Sequence, residues 1–380
     1  MRFTIHEAIE ATQEYLHEHG YESFEADHGI KAKSDGRHLI LSYDQIAVNW
    51  NEFYGWVCRG LVLDVISYEV LAFPFCKFFN NVEEAWVDEI DWSSAEVYNK
   101  LDGTLFIRWY SPYRDEFVVT TRFQLPDEVE SNKIMHSNIT WGQLFRLATE
   151  HMELNSDEDL TTCYEVCSPF NQIVVQYPDP LAKLIMIRDN KTFDEQSIRM
   201  EKDAPERFDE RFDLNKQTDI EAFACTLDGK ESEGFVVVDA DFNRMKIKTP
   251  SWKVFCSLSQ SVHSSLRCQV EAVMDENNDV EELAKDFPHV GQTLLRIQQI
   301  IQDIITEHQQ IYDIYKDLEE QKQFAIAIQD RKVPFSSVLF QLRAGKINSI
   351  AEGFYKIQSK YLASVVADKL QLTFENNEEE

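Results

Sequence analysis

A mixed α+β domain followed by an all-helical one is the fold class this 380-residue sequence predicts, and three features carry the prediction. Up to about residue 250, short runs of β-branched, leucine and aromatic residues recur between breaks of Gly, Pro, Asn and Asp, the mark of strands. From about Ser251 the apolar period changes to one near 3.6. At the start, Met1 to Gly20 reads as an amphipathic helix. Its Thr4 and Glu7 form a capping box, its stripe is Ile5, Ala8, Ile9, Thr12, Tyr15 and Leu16, and Gly20 stops it. The expected boundary falls near residue 255, giving domains 1–254 and 255–380.

Strands are predicted at Arg37–Tyr43, at Cys58–Asp64 with an arginine and glycine at its mouth, and at Tyr68–Phe75. Lys77-Phe78-Phe79-Asn80-Asn81 sets a cation beside two aromatics. Further strands are Ala95–Tyr98, Thr104–Trp109 and Phe117–Phe123, then a helix at Trp141–His151. Thr161–Cys167 is a strand with Glu165 inside it. Gln172–Tyr177 and Ala182–Asp189 follow as strands. Glu201–Leu214 is charge-rich without a clear face. Ser232–Val238 and Arg244–Lys248 form a last hairpin. In the second part Leu294, Leu295, Ile297, Ile301, Ile304, Ile305, Ile311, Tyr315 and Leu318 recur at helical spacing. Val338–Leu342 and Ile350–Leu372 give two more helices, and Glu375–Glu380 is an acidic tail.

Hydrophobic residues make up 43% and aromatics 12%, enough apolar material for two cores. No apolar run reaches the roughly 18 residues a membrane span needs, and the N-terminus carries no apolar signal segment. Seven cysteines without paired spacing suit a reducing interior. A soluble, cytoplasmic protein is therefore expected. Cys163 and Cys167 lack a second ligand pair, so zinc is not expected. The net charge of −30 argues at face value against a nucleic-acid partner. Residues 1–254 hold 25 basic and 47 acidic side chains, and residues 255–380 hold 12 and 20. A polyanion binds such a chain only if its few cations converge on one cleft.

Lys100-Leu101-Asp102-Gly103 breaks two strands. It places either a nucleophilic amine at a cleft or a solvated lysine in a hairpin turn. Arg59, Lys77, Arg122, Lys246 and Lys248 also sit on strands or strand ends. Lys246 and Lys248 share one strand face, where they repel unless solvent or an anion lies between them. Glu165 and Glu233 lie in apolar strands, and each needs a cation, a metal or donors unless it is an edge residue. Together they describe a cleft with an amine, phosphate-binding cations and two carboxylates suited to Mg²⁺. Lysine is almost wholly protonated at neutral pH. Lys246 and Lys248 are expected to disfavour the charge on Lys100 and lower its pKa.

This set resembles the covalent nucleotidyltransferase superfamily of ligases and capping enzymes. The lysine box matches Lys100 to Gly103, the acid-bearing strand Tyr164-Glu165, the Glu-Gly box Glu233-Gly234-Phe235, and the terminal lysine strand Lys246-Ile247-Lys248. More narrowly it is similar to the phage RNA ligase 1 type. That likeness rests on Cys58-Arg59-Gly60, Lys77-Phe78-Phe79-Asn80, the run Glu165 to Val174, and a helical second domain. Thr104 replaces the commoner serine.

The resemblance implies an N-terminal nucleotidyltransferase (adenylyltransferase) domain with antiparallel sheets around a nucleotide cleft. It implies an ATP-dependent RNA ligase that uses Mg²⁺, or Mn²⁺ in its place, and acts in the host cytoplasm if phage-encoded. Lys100 attacks the α-phosphate to give lysyl-AMP, and RNA with 5′-phosphate and 3′-hydroxyl ends, cleaved tRNA included, is sealed. Arg59 and Lys77 would hold the β- and γ-phosphates and Lys246 and Lys248 the α-phosphate. Arg122 would lie on the nucleotide and Tyr43 on the nucleoside. Glu165 and Glu233 would serve the ribose or metal. Trp252 is either a functional aromatic or a residue at the domain seam. A DNA ligase or mRNA capping guanylyltransferase is the nearer rival, though these add a β-barrel after the last lysine strand. A non-catalytic RNA-binding protein on the same fold is the other.

Overall fold

The computed structural model describes residues 4–44, 47–80, 90–135, 137–208, 216–260, 266–275 and 278–375. Met1–Phe3 of the first helix, Asn81, the 209–214 part of the charge-rich segment and the tail 376–380 lie outside them. The chain divides into two compact units, Met1–Trp252 and Lys253–Glu380.

Three sheets build the first unit. One runs in the order β1 (Ile30–Ser34), β2 (His38–Tyr43), β3 (Arg59–Asp64) and β4 (Val70–Ala72), all antiparallel. Strand β2 is buried along its whole length because both of its faces are covered. Leu39 and Leu41, with Leu61 and Leu63 of β3, pack against Ala8, Ile9 and Leu16 of the helix Ile5–His19. On the other side Ile40 and Val62 meet Ile107, Trp109 and Met186 of the second sheet. That sheet is ordered β11 (Glu195–Gln196), β10 (Leu181–Asp189), β9 (Leu160–Cys167), β7 (Thr104–Ser111) and β8 (Glu116–Thr121). Its far face carries Phe106, Tyr164 and Val166 into a core closed by the helices Pro126–Ser131 and Trp141–Ala148. The opening helix is capped as its sequence predicts: the Thr4 N–H donates to Glu7 Oε2 at 2.8 Å and the Glu7 N–H to Thr4 Oγ1 at 3.2 Å.

The third sheet holds β5 (Phe79–Asn80), β13 (Arg244–Lys248), β12 (Gly234–Val238) and β6 (Glu96–Asn99). Alternation sorts its side chains. Val97, Phe235, Val237, Met245 and Ile247 pack on Ile220 and Ala224 of the helix Gln217–Ala224. Val236, Val238, Arg244, Lys246 and Lys248 face the other way, into a cavity. The strands before and after Lys100 therefore do not form a hairpin. Strand β6 pairs with β12, whereas β7 pairs with β8 and β9, so residues 100–103 cross from one sheet to another.

Three elements differ from the sequence reading. Of Tyr68–Phe75 only Val70–Ala72 is strand, where β3 supplies its partners. Gln172–Tyr177 is not a strand, because its amides are satisfied by a side chain: the Val174 and Val175 N–H groups donate to Asp102 Oδ2 at 2.9 and 2.8 Å. Ile350–Leu372 is not one helix but two, Ile350–Tyr355 and Ser359–Glu375. Strand β1, with its short alternation Ile30, Ala32, is an addition.

The second unit is helical. Its longest helix, Pro288–Tyr315, buries Leu294, Ile297, Ile301, Ile304 and Ile311 in one core with Phe324, Leu339, Phe354 and Leu362, while Leu295 faces solvent. No helix among the described residues is long and apolar enough to cross a membrane.

Candidate active site

A cavity of about 700 Å³ opens where the crossing segment passes between the second and third sheets. Its wall includes Lys100, Glu165, Lys246, Lys248 and Arg59. Two glycines make this placement possible. A Cβ on Gly103 would lie 2.4 Å from the Val166 carbonyl oxygen, and one on Gly234 would lie 2.1 Å from that of Ile247. Gly234 also has φ +130°, a conformation side chains resist. The Lys100 N–H donates to the Gly234 carbonyl at 2.8 Å, which ties the lysine box to the Glu-Gly box.

Asp102 faces away from the cavity. It is 1% exposed, its Oδ2 takes the two valine amides, and its N–H donates to the Tyr177 hydroxyl at 3.2 Å. Beside it Asn171 donates to Thr104 Oγ1 at 3.0 Å and to the Val166 carbonyl at 2.8 Å, while Ser168 donates to Asn171 Oδ1 at 2.5 Å. The hydroxyl of Thr104 thus has a structural partner.

Glu233 is buried and bridges two amines. Lys100 Nζ lies 2.6 Å from Oε2 and Lys248 Nζ 2.9 Å from Oε1. Lys248 also stands 3.9 Å over the ring of Trp252. Glu165 follows Cys163 on the face of β9 that extends the core between the first two sheets toward the cavity. Burial pushes the Glu165 carboxyl up to about 7, aided by Glu233 and opposed by Lys100 and Arg59.

The amines differ in a way that reverses the expectation for Lys100. Burial disfavours its ammonium, but the carboxylates of Glu233 and Glu165 outweigh this and hold its pKa above the usual lysine value. Lys246 is the amine that is depressed, to about 7. Burial is the main cause, followed by Lys77, Lys100, Lys248 and Arg59. Among the described residues no carboxylate pairs with Lys246, whereas its strand neighbours have one each: Lys248 has Glu233 and Arg244 has Glu195.

Sequence reasoning missed Arg244 and Glu195, which also line the cavity. Glu195 is sandwiched between Arg244 and Arg188, with Arg188 Nη2 at 2.9 Å from Oε2 and Arg244 Nη1 at 3.0 Å from the same oxygen. The triad joins β11 and β10 to β13. Arg244 was findable, since it lies two residues before Lys246 on one strand face. Glu195, on a two-residue strand, gives no such signal.

Lys77, Tyr43 and Arg122 lie outside the cavity wall, and Glu233 meets it only through its two amines. Lys77 lines an adjoining pocket of about 310 Å³, with Nζ 5.0 to 5.5 Å from the ring centroids of Phe79, Trp50 and Tyr43. Tyr43 is 4% exposed because the Arg122 guanidinium covers its ring at 3.8 Å. Arg122 is in turn fixed, donating to Ser42 Oγ at 2.9 Å and to the Tyr43 carbonyl at 2.8 Å.

No protein-family model matches the chain. Solved structures with a similar path include two archaeal ATP-dependent RNA ligases. Form 1 is 13% identical over 92% of this chain and 80% of that one, with a TM-score of 0.40. Form 2 is 13% identical over 78% and 82%, with a TM-score of 0.43. A Naegleria gruberi RNA ligase with PPi is 17% identical over 42% of this chain and 50% of that one, with a TM-score of 0.31.

Proposed function

We propose that this chain is an ATP-dependent RNA ligase of the covalent nucleotidyltransferase type. One observation carries the reading: an otherwise acidic molecule gathers the Lys100 amine, two carboxylates and the cations Arg59, Lys246 and Lys248 around a single cavity. A solvated turn lysine has no such surroundings. The narrower likeness to phage RNA ligase 1 rests on the sequence motifs given above.

In the proposed reaction Lys100 Nζ, once deprotonated, attacks the α-phosphorus of ATP. A P–N bond forms and pyrophosphate leaves. AMP then passes to the 5′-phosphate of an RNA end. The 3′-hydroxyl of a second end attacks that phosphate, and AMP departs with the bonding pair. Arg59 and Lys77 are assigned to the β- and γ-phosphates, Lys246 and Lys248 to the α-phosphate. The carboxylates suit a divalent cation: they are hard oxygen donors, and burial, with Glu233 beside it, pushes the Glu165 carboxyl up to about 7, a burden that a cation would relieve. Glu165 and Glu233 would hold Mg²⁺ or Mn²⁺, which supplies charge neutralisation at the phosphates. The lysines bind and orient the phosphate chain, and Glu233 keeps Lys100 aimed at the cavity.

RNA rather than nicked DNA is favoured because the described residues after Lys248 are helical, without the barrel of DNA ligases and capping enzymes. The helical unit is the proposed place of RNA choice, with cleaved tRNA the first substrate to try. The deciding experiment incubates the protein with α-labelled ATP and Mg²⁺. A protein–AMP adduct that is stable in alkali, labile in hot acid and absent from Lys100→Ala is expected, followed by sealing of 5′-phosphate RNA. Labelling by GTP instead would point to a capping enzyme, and no adduct at all to an RNA-binding protein without catalysis.

A further inference from the structure

We propose that Phe123 is a stacking platform for an unpaired base of the RNA end, with the strand's phosphates drawn to Lys33. The proposal deepens the ligase reading and rests on it.

Phe123 is 47% exposed and, among the described residues, joins none of the four apolar cores of its unit given above. It is nevertheless held in a layered stack. The Arg122 guanidinium lies 4.6 Å from its ring centroid and 3.8 Å from that of Tyr43, and Tyr43 meets Trp50 edge-on at 5.0 Å. Hydrogen bonds to Ser42 and the Tyr43 carbonyl hold Arg122, the layer beneath Phe123, in place. An exposed phenylalanine on a rigid cationic layer is costly for solubility and adds little to stability. It suits a flat partner that covers the ring. Nucleobases are such partners, and aromatic stacking beside cations is how proteins hold single strands without reading their sequence.

The position fits a substrate entering the cavity. Gly60 packs so closely on this segment that a Cβ there would lie 3.3 Å from Arg122 Cα, and the preceding residue, Arg59, lines the cavity wall. The segment that carries Phe123 thus packs on the strand whose first residue lines the cavity. Lys33 Nζ donates to the Phe123 carbonyl at 3.1 Å, and Lys31 and Lys33 are the exposed side chains of β1. Lys33 is paired with Glu128 at 3.0 Å and Lys31 with Asp44 at 2.7 Å. Exposed ion pairs of this kind contribute little and exchange readily for a phosphate. No flanking apolar groove is needed, so the site makes few demands on sequence.

The test measures binding of a fluorescent, 5′-phosphorylated RNA decamer to the full chain and, in parallel, self-labelling by ATP. Phe123→Ala is expected to weaken decamer binding about 5- to 100-fold, the range that removal of one stacking ring gives. Phe123→Trp is expected to restore binding to within a few-fold, while both variants label with ATP like the wild type. Equal decamer binding by wild type and Phe123→Ala overturns the platform and leaves the ligase reading standing. A wild-type chain that takes no label from ATP overturns the ligase reading itself.

Discussion

Lys100 Nζ lies 2.6 Å from Oε2 of Glu233, so the amine proposed to attack ATP rests as an ammonium in an ion pair. Its pKa is held above the usual lysine value by Glu233 and Glu165 against the effect of burial. The ion pair keeps the proton on Lys100, so the proposed attack on ATP requires the carboxylates to be drawn to another cation. Glu233→Gln is expected to lower the pKa of Lys100, so that the residue reacts with an amine-directed acylating reagent at lower pH. Mass spectrometry across a pH series reads this. Formation of the AMP adduct should nevertheless fall by roughly 100-fold or more, since the same carboxylate is assigned to the cation. An unchanged acylation profile would sever the link between the two residues.

If the proposed assignment holds, Lys246 should set the pH dependence of ATP binding. Its folded-state pKa of about 7 lies below the value of about 10.4 in an unfolded chain. Below pH 7 the buried ammonium is a full burden, which is relieved as pH rises from about 7 towards 10.4, where the unfolded state binds more protons. In the ligand-free protein Lys246→Met should raise the unfolding midpoint by a few degrees at pH 6 and by less at pH 9. A bound triphosphate favours the charged form, so ATP binding near pH 8 should take up as much as one proton. Affinity should decline as pH rises above 7. Calorimetry in buffers of different ionisation enthalpy measures that uptake.

Asp102 holds the wall behind Lys100 and faces away from the cavity. Asp102→Ala leaves the buried Val174 and Val175 amides without their acceptor. A loss of about 2–6 kcal/mol in urea unfolding is expected, at about 1–3 kcal/mol for each orphaned donor. Asp102→Asn keeps an acceptor oxygen and should cost less.

The strands and the opening helix were legible because each is a local pattern: Thr4 and Glu7 are three residues apart, and Arg244, Lys246 and Lys248 alternate with Met245 and Ile247. The assignment of strands to sheets was not. Nothing near Lys100 shows that β6 and β7 pair with different partners, which is what turns an apparent hairpin into a crossing. Gln172–Tyr177 reads as a strand because Ile173, Val174 and Val175 are apolar, but Asp102, some seventy residues earlier, claims their amides. The pairing of the lysines likewise depended on distance. Lys246 and Lys248 are two residues apart, yet only Lys248 reaches Glu233.

Glu195 supports the last of the predictions. It is nearly inaccessible, with 4% of its side chain exposed, between Arg188 at 4% and Arg244 at 9%. Two buried guanidinium groups thus share one carboxylate, and Arg244 begins the strand that carries Lys246 and Lys248. Removing one member of such a group leaves unpaired buried charge, at a cost of about 3–5 kcal/mol. Glu195→Gln is expected to destabilise the first unit by that amount in denaturant unfolding. Adding Arg244→Met should recover part of the loss, because one of the two stranded charges is gone. If the single variant unfolds like the wild type, the triad does not anchor β13, and the placement of its lysines must come from the pairing with β12 alone.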